Sequence, residues 1–496
     1  MLERLRGWRV RRDSAGEGER LRGENTALRA ENSALQAENT GLQATVARLQ
    51  ARIGELEQRV TQQTAKLAVN SRNSSKPPSS DGPATPPRRG KKSGRKRGGQ
   101  PGHEGTTRAM VAVEQVDEVV DCHPTSCEAC GALLMGDDPA PERRQVIDIP
   151  KPRVIVREYR LHELVCLACG GTTQGEWPAG LPDSMFGAGL HTLAAILVGR
   201  FRQSKRLVVE LFEILYDLSL SPASICAMER RVAAALAAPV AEAKAALRRE
   251  PVVGMDETGW RHMKNKAWLW LATAEQLAVF TIARRRGSAV VKQMLGELFS
   301  GVVCCDRWSA YAYLKSRQHC WAHLRRDFTA MIERHGSPWH GQRLVACARQ
   351  VMAAYAERQA GNISHEEMVR RLEPVRRRTH ELLTWTAKGA PGPKARSMAS
   401  EMLKVEEHLW TFLTDPAIPV TNNLRERLLR YAVIWRKLSY GTDSDAGASF
   451  VERILTVTAS LQLQHRDVFG YLTTAIDAHF HGQAATSILP VTSDPG

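Results

Sequence analysis

The chain has no apolar run approaching the ~18 residues that a membrane span requires. Its opening stretch, Met1 to Arg12, is charged and has none of the apolar core of a secretory signal. Cysteine is too sparse for a disulfide scaffold: there are ten in 496 residues, and four of them form two Cys-x-x-Cys pairs, a spacing that points to metal ligands in a reducing compartment. Acids are short as well. Lys and Arg outnumber Asp and Glu by 69 to 53, a net charge of +16 that favours a polyanionic partner without speaking to fold. The expectation is a cytoplasmic protein with no membrane partner. Because single cores rarely grow past ~250–300 residues, several domains are expected as well.

What is present first is a heptad. Leu21, Leu28, Leu35, Leu42, Leu49 and Leu56 recur every seven residues, and four residues after each stand Asn25, Asn32, Asn39, Val46, Ile53 and Val60. With leucine at d, these are a positions, so residues 1–66 read as an N-terminal coiled coil that self-associates. Three successive Asn at a cost stability but fix register and favour a parallel dimer. Gly23, Gly41 and Gly54 weaken the helix by ~1 kcal/mol each.

Residues 67–112 read as a disordered basic linker. From Arg72 to Arg108 ten Lys and Arg face only Asp81 and Glu104, and Pro77, Pro78, Pro83, Pro86 and Pro87 break any helix. Arg88, Arg89, Lys91, Lys92, Arg95, Lys96 and Arg97 are the expected contacts to a nucleic-acid backbone, an interaction that is salt-dependent and blind to sequence.

Residues 113–180 carry the cysteine pairs, Cys127-x-x-Cys130 and Cys166-x-x-Cys169, each followed by glycine. Four thiolates on two knuckles make a closed structural Zn²⁺ site with no open position for catalysis. Between them Val146, Ile147, Ile149, Val154, Ile155, Val156, Tyr159 and Leu161 predict strands. Residues 185–248 are helical, with a cap-and-start signal at Ser221-Pro222-Ala223-Ser224. A helix-turn-helix reader using Arg230 and Arg231 and a plain helical bundle both fit this segment.

The pattern then turns to strands. Val252–Met255, Ala267–Ala274 and Leu277–Ala283 predict a meander, Ser288–Phe299 a helix, and Val302–Cys305 a fourth strand. Asp256 closes the first of these and Asp306 the fourth; acids at strand ends project into the crevice where α/β sheets place their chemistry. Glu426 opens a helix running to about Leu438, and with Asn423 as N-cap it would lie at the capping-box position. Glu257 alternates away from Asp256 and reads as structural. His319 and His323 have i, i+4 spacing, for which a packed or phosphate-contacting role outweighs a metal pair. The order of elements fits an RNase H-like catalytic domain over residues 250–460, with a helical insertion at about 328–418. A C-terminal helix and tail fill 461–496, the tail disordered beyond Ala484. The fold class is thus multidomain α/β: coiled coil, zinc ribbon, helical domain and RNase H-like domain. Three acids of this kind are enough to hold two Mg²⁺ ions for phosphoryl transfer on a nucleic acid.

The chain resembles transposases of the insertion sequence 66 family. The resemblance rests on Asn70-Ser71-Arg72-Asn73-Ser74-Ser75-Lys76-Pro77-Pro78-Ser79-Ser80-Asp81, Gly98-Gly99-Gln100-Pro101-Gly102-His103, and both cysteine pairs. It continues through Asp256-Glu257-Thr258-Gly259-Trp260, Trp268-Leu269-Trp270 and Cys320-Trp321-Ala322-His323, to Asn422-Asn423 with Glu426-Arg427, Arg430 and Arg436-Lys437. It departs at Arg307-Trp308, where Gly-Tyr is expected, and at Thr421, where an Asp often stands. The resemblance implies that Asp256, Asp306 and Glu426 are the catalytic, Mg²⁺-binding triad of a DDE transposase, freeing a 3′-hydroxyl at the element end and joining it to target DNA. Arg427, Arg430, Arg436 and Lys437 are expected on DNA phosphates. A bacterial, nucleoid-associated location and helper proteins encoded by the same element are implied too. The competing reading is a catalytically silent DNA-binding regulator built from the coiled coil, linker and zinc ribbon.

Overall fold

The structure, a computed structural model, describes residues 2–74, 81, 108–181 and 183–490, with side chains from residue 16 onward. In chain order the helices are α1 (Leu2–Leu67), α2 (Ala188–Gly199), α3 (Lys205–Tyr216), α4 (Pro222–Ala235), α5 (Ala237–Leu247), α6 (Ser288–Leu295), α7 (Trp321–Glu333), α8 (Pro338–Gln359), α9 (His365–Gly389), α10 (Pro393–Leu403), α11 (Asn423–Ser439), α12 (Asp445–Leu463) and α13 (Val468–Phe480). The strands are β1 (Glu163–Val165), β2 (Thr172–Gln174), β3 (Val252–His262), β4 (Asn265–Thr273), β5 (Ala278–Ala283), β6 (Val302–Cys305) and β7 (Arg317–His319). Two compact units result. One comprises residues 1–82, 323–354 and 371–405; the other comprises 83–322, 355–370 and 406–496.

In the first unit α1 is a single unbroken helix, and its heptad leucines are 44–63% exposed along the chain's own surface. It ends in a turn tied by asparagine. Asn73 is almost fully buried, and its amide donates to Ala68 O (2.9 Å) and to Glu333 Oε2 (2.6 Å). Arg334 donates to Asn73 O (2.8 Å), and Ser71 donates through N–H and Oγ to the Asp81 carboxylate (2.7 Å each). Asn70-Ser71-Arg72-Asn73, read from the sequence as linker, is therefore a structural clasp onto the end of α7.

In the second unit a five-stranded sheet runs β5-β4-β3-β6-β7. β5, β4 and β3 form the predicted antiparallel meander, and β6 and β7 run parallel to β3. α12 seals the outer edge. Glu452, Thr456 and Ser460, spaced four residues apart on one helix face, accept hydrogen bonds from the N–H groups of Ile282 (2.6 Å), Phe280 (3.0 Å) and Ala278 (3.0 Å). Every second N–H of an edge strand points outward, so a helical stripe of acceptors satisfies donors that would otherwise template aggregation.

A continuous core joins the sheet to α2, α4, α5, α12 and α13. Ser221 caps α4 as expected, accepting from Ser224 N–H (3.0 Å). α4 buries Ile225, Met228, Glu229, Val232 and Ala233 among α2, α3, α12 and α13. The helix packs within a bundle and keeps Ala223, Arg230 and Ala234 exposed; Arg231 pairs with Asp183 (3.3 Å). Two further expectations are corrected. The apolar stretch 146–161 forms no strand; it is extended and mostly exposed, and only β1 pairs, with β2. Residues 485–490, beyond Ala484, are docked. Ile488 is fully buried, Gln464 donates to Ile488 O (2.9 Å), and Tyr471 donates to Thr486 O (2.6 Å).

Candidate active site and zinc knuckles

β3 pairs with β6 through Val252↔Val302, Val253↔Val303 and Gly254↔Cys304. Counted on by two residues, this register sets Asp256 level with Asp306. β6 ends at Cys305, while β3 continues to His262 paired with β4 and, at its far end, bridged in parallel to Thr442. Between the end of β6 and the Thr442 bridge that side of β3 has no strand partner, and the two acids, both half-buried, stand at the start of this crevice. Each is oriented locally: Asp256 Oδ1 accepts from Glu257 N–H and Asp306 Oδ1 from Trp308 N–H, both at 2.9 Å.

The third acid arrives on α11. Asn422, not Asn423, occupies the N-cap position and makes no side-chain cap; its amide instead donates to Met255 O (2.9 Å). Its N–H meets Cys320 Sγ at 3.1 Å. Glu426 thus falls one residue beyond the capping-box position, and the capping explanation for it fails. Arg425 is buried, donates to Thr273 Oγ1 (2.6 Å), and lies so close over Gly254 that any Cβ there would collide with its guanidinium. Arg436 grips the same strand further on, at Thr258 Oγ1 and Gly259 O. Its guanidinium is drawn into the fold, whereas Arg427, Arg430 and Lys437 are exposed. The helix carrying Glu426 is therefore pinned to β3 at Gly254, Met255 and Gly259, on either side of Asp256.

Neighbouring groups support this frame. Glu257 is buried between Arg286 (2.7 Å) and Tyr311, whose hydroxyl donates to it at 2.6 Å. Burial first, then the Asp306 charge, pushes its pKa up. His319 is pushed down to about 3 by burial, with Arg317 adding to the effect, so it is a neutral imidazole. Its Nδ1 lies 3.2 Å from Asp306 O, which makes it the donor to that carbonyl: a packed role, as expected from the sequence.

The two cysteine pairs form matching knuckles. Gly131 N–H donates to Cys127 O and Gly170 N–H to Cys166 O, and both glycines adopt φ +72, where a Cβ is disfavoured. Backbone N–H groups lower the pKa of Cys127 (Ala129 first, then Cys130) and of Cys166 (Cys169 first, then Ala168), favouring the thiolate a metal needs. Among the described residues, however, no three His, Cys, Asp or Glu side chains converge as a ready-made metal cage. The knuckles are each formed but not joined, and the three acids do not close on one point. Arg88, Arg89, Lys91, Lys92, Arg95, Lys96 and Arg97 lie outside the described residues. No described helix is long and apolar enough to cross a membrane.

Sequence reasoning named the acids and the cysteines as candidates; it did not single out the packing of Gly254, Asn422 and Arg425. Gly254 interrupts a Val-Val-x-Met run, a mark of close approach by another group.

A mixed sheet with acids on adjacent parallel strands, a third acid on a helix pinned beside them, and a separate pair of cysteine knuckles defines a multidomain α/β protein with a carboxylate crevice and a metal-binding module. The chain belongs to the transposase IS66 family, whose model matches residues 184–450. The zinc-finger binding domain of transposase IS66 matches residues 124–170, and a family of unknown function (DUF6444) matches 21–109, across the heptads and the basic segment. Two Sinorhizobium fredii proteins are similar over most of their length. Uncharacterized protein y4qI is 24% identical over 76% of this chain and 74% of its own, and uncharacterized protein y4hP is 24% identical over 73% and 71%. Family membership connects the chain to DNA transposition and its cysteine module to zinc.

Proposed function

We propose that the chain is a DDE transposase that cleaves DNA at the ends of an insertion sequence and joins the freed 3′-hydroxyl to target DNA. The observation that carries this reading is the β3–β6 register that levels Asp256 with Asp306, together with the pinning of the Glu426 helix at Met255. The sheet order, with its first three strands an antiparallel meander and the last two parallel to the first, supports an RNase H-like reading of this domain.

Asp256, Asp306 and Glu426 offer only carboxylate oxygens, the hard donors that Mg²⁺ prefers. Two bound Mg²⁺ ions supply activation of the attacking oxygen and charge stabilisation of the leaving one. The chain's own part is to fix the acids. His319 holds the Asp306 carbonyl, Trp308 N–H orients the Asp306 carboxylate, and Arg425 keeps the root of α11 on Gly254. Arg427, Arg430 and Lys437 on the exposed side of α11, with the basic residues 88–97, neutralise phosphates and set the strand's position. Cys127, Cys130, Cys166 and Cys169 together hold one structural Zn²⁺, each knuckle supplying two thiolates. The exposed leucine seam of α1 pairs two protomers, and proteins encoded by the same element assist.

The test is cleavage and strand transfer on labelled DNA bearing the element's ends, with Mg²⁺, comparing wild type with Asp306→Ala and Glu426→Ala. Loss of both reactions in both variants with DNA binding retained is expected. Equal activity in all three proteins refutes the assignment.

A further inference from the structure

A stack of rings and cations stands beside Asp306. Trp308, whose N–H orients the Asp306 carboxylate, faces the guanidinium of Arg286, with Cζ 4.0 Å from the ring centroid. The same guanidinium lies 4.7 Å from the Trp268 centroid, and Lys266 Nζ is 5.4 Å from that ring. Arg286 is fixed by Glu257, which Tyr311 holds in turn. The cation is thus clamped between two indoles at the crevice mouth, and Arg284 and Arg285 beside it are exposed.

Arg286 covers Trp308 from one side, yet 38% of Trp308 remains exposed. An indole left in water, rigidly backed by a cation and two residues from an acid at the crevice, has the surface that an aromatic base covers. Base–aromatic stacking is tolerant of sequence and is strengthened by an arginine next to the ring. A base inside a duplex is already stacked on both faces, so only an unpaired one has a face to offer.

We propose that Trp308, backed by Arg286 and Trp268, binds an unpaired nucleobase next to the phosphate that reacts at Asp306. The identity of that phosphate rests on the transposase reading; the stacking itself does not. Binding there draws the strand end away from its complement and holds it over the crevice.

The test uses the full chain in EDTA and two duplexes, one with 2-aminopurine in a short 3′ overhang and one blunt with 2-aminopurine paired. Wild type is expected to change the overhang probe's emission and to bind it about tenfold more tightly than the blunt probe, within the range of one base stacked on one aromatic ring. Trp308→Phe keeps most of both effects. Trp308→Leu, which retains apolar bulk without a π face, loses both while its blunt-duplex affinity and melting temperature stay at wild-type values. The proposal is overturned if wild type shows no overhang preference, or if Trp308→Leu keeps the preference and the emission change. Because no divalent ion is present, the outcome is independent of cleavage. A base signal alongside cleavage indifferent to Asp306→Ala would remove the transposase reading and leave the base site; triad-dependent cleavage with no Trp308 effect would do the reverse.

Discussion

Gly254 and Arg425 form a coupled pair, and a double-mutant cycle measures the coupling. In Gly254→Ala the new methyl falls inside the Arg425 guanidinium, and Arg425, 5% exposed and bonded to Thr273, has no solvent to retreat into. Overpacking of this kind costs roughly 1–3 kcal/mol. Arg425→Ala removes a hydrogen bond from a charged donor and the packing of its stem, of order 2–3 kcal/mol. Independent effects would sum to roughly 3–6 kcal/mol in the double variant. In Gly254→Ala/Arg425→Ala, however, the methyl enters the space the guanidinium left, so the double variant is expected near the cost of Arg425→Ala alone, a coupling of about 1–3 kcal/mol. Urea unfolding followed by tryptophan fluorescence reads the cycle. The same set assayed for cleavage adds a functional reading, because Gly254 is two residues from Asp256 and Arg425 adjoins Glu426: Gly254→Ala is expected to be slow, and the double variant no slower than Arg425→Ala. Additivity within about 0.5 kcal/mol would refute the seating of α11 on Gly254.

Glu452 and the leucine seam give two further tests. Burial raises the Glu452 pKa although Ile282 N–H and Lys244 pull it down. Its protonated form therefore stabilises the fold fully below the unfolded carboxyl value, and that contribution is lost as pH rises through the higher folded value. Glu452→Gln keeps an acceptor for Ile282 N–H without the charge, so its thermal midpoint should exceed wild type at pH 8 and converge with it near pH 4; a gap that widens on acidification contradicts the sign. For α1, Leu28→Lys with Leu35→Lys places charges in the middle of the seam, and light scattering should find wild type dimeric and the variant monomeric, with helix content lowered. A variant that stays dimeric would take the heptads out of self-association.

The five-stranded sheet was legible because its residues report two independent periodicities. The apolar runs ending at Asp256 and Asp306 carry the composition of buried strands, and Ser288 opens an amphipathic stretch, so element order followed from local pattern alone. The failures fall where pattern and packing part. The apolar alternation of residues 146–161 has strand composition yet finds no pairing partner, because strand propensity says how a residue fits a sheet and not whether a sheet is there. The packing of α4 was hidden in the opposite way. Cap, turn and helix were all present at Ser221, but burial of α4 depends on α12 and α13, more than 200 residues further along the chain.

The site divides along the same line. Carboxylates and paired cysteines announce themselves by type, since few arrangements other than a site explain them. Asn422 and Arg425 do not: an asparagine before a helix reads as a cap and an arginine in its first turn as a surface charge. Their roles come from β3 lying beneath α11, where the cap amide turns to Met255 O and the charge is buried against a glycine. The one local clue was Gly254 itself, which weakens a strand unless something must approach it. Asp256 lies within β3, which runs on to His262, and a glycine two residues before it and a buried arginine one residue before Glu426 together fix α11 on that strand. The seat of the Glu426 helix on the strand that carries Asp256 is therefore set by packing at Gly254.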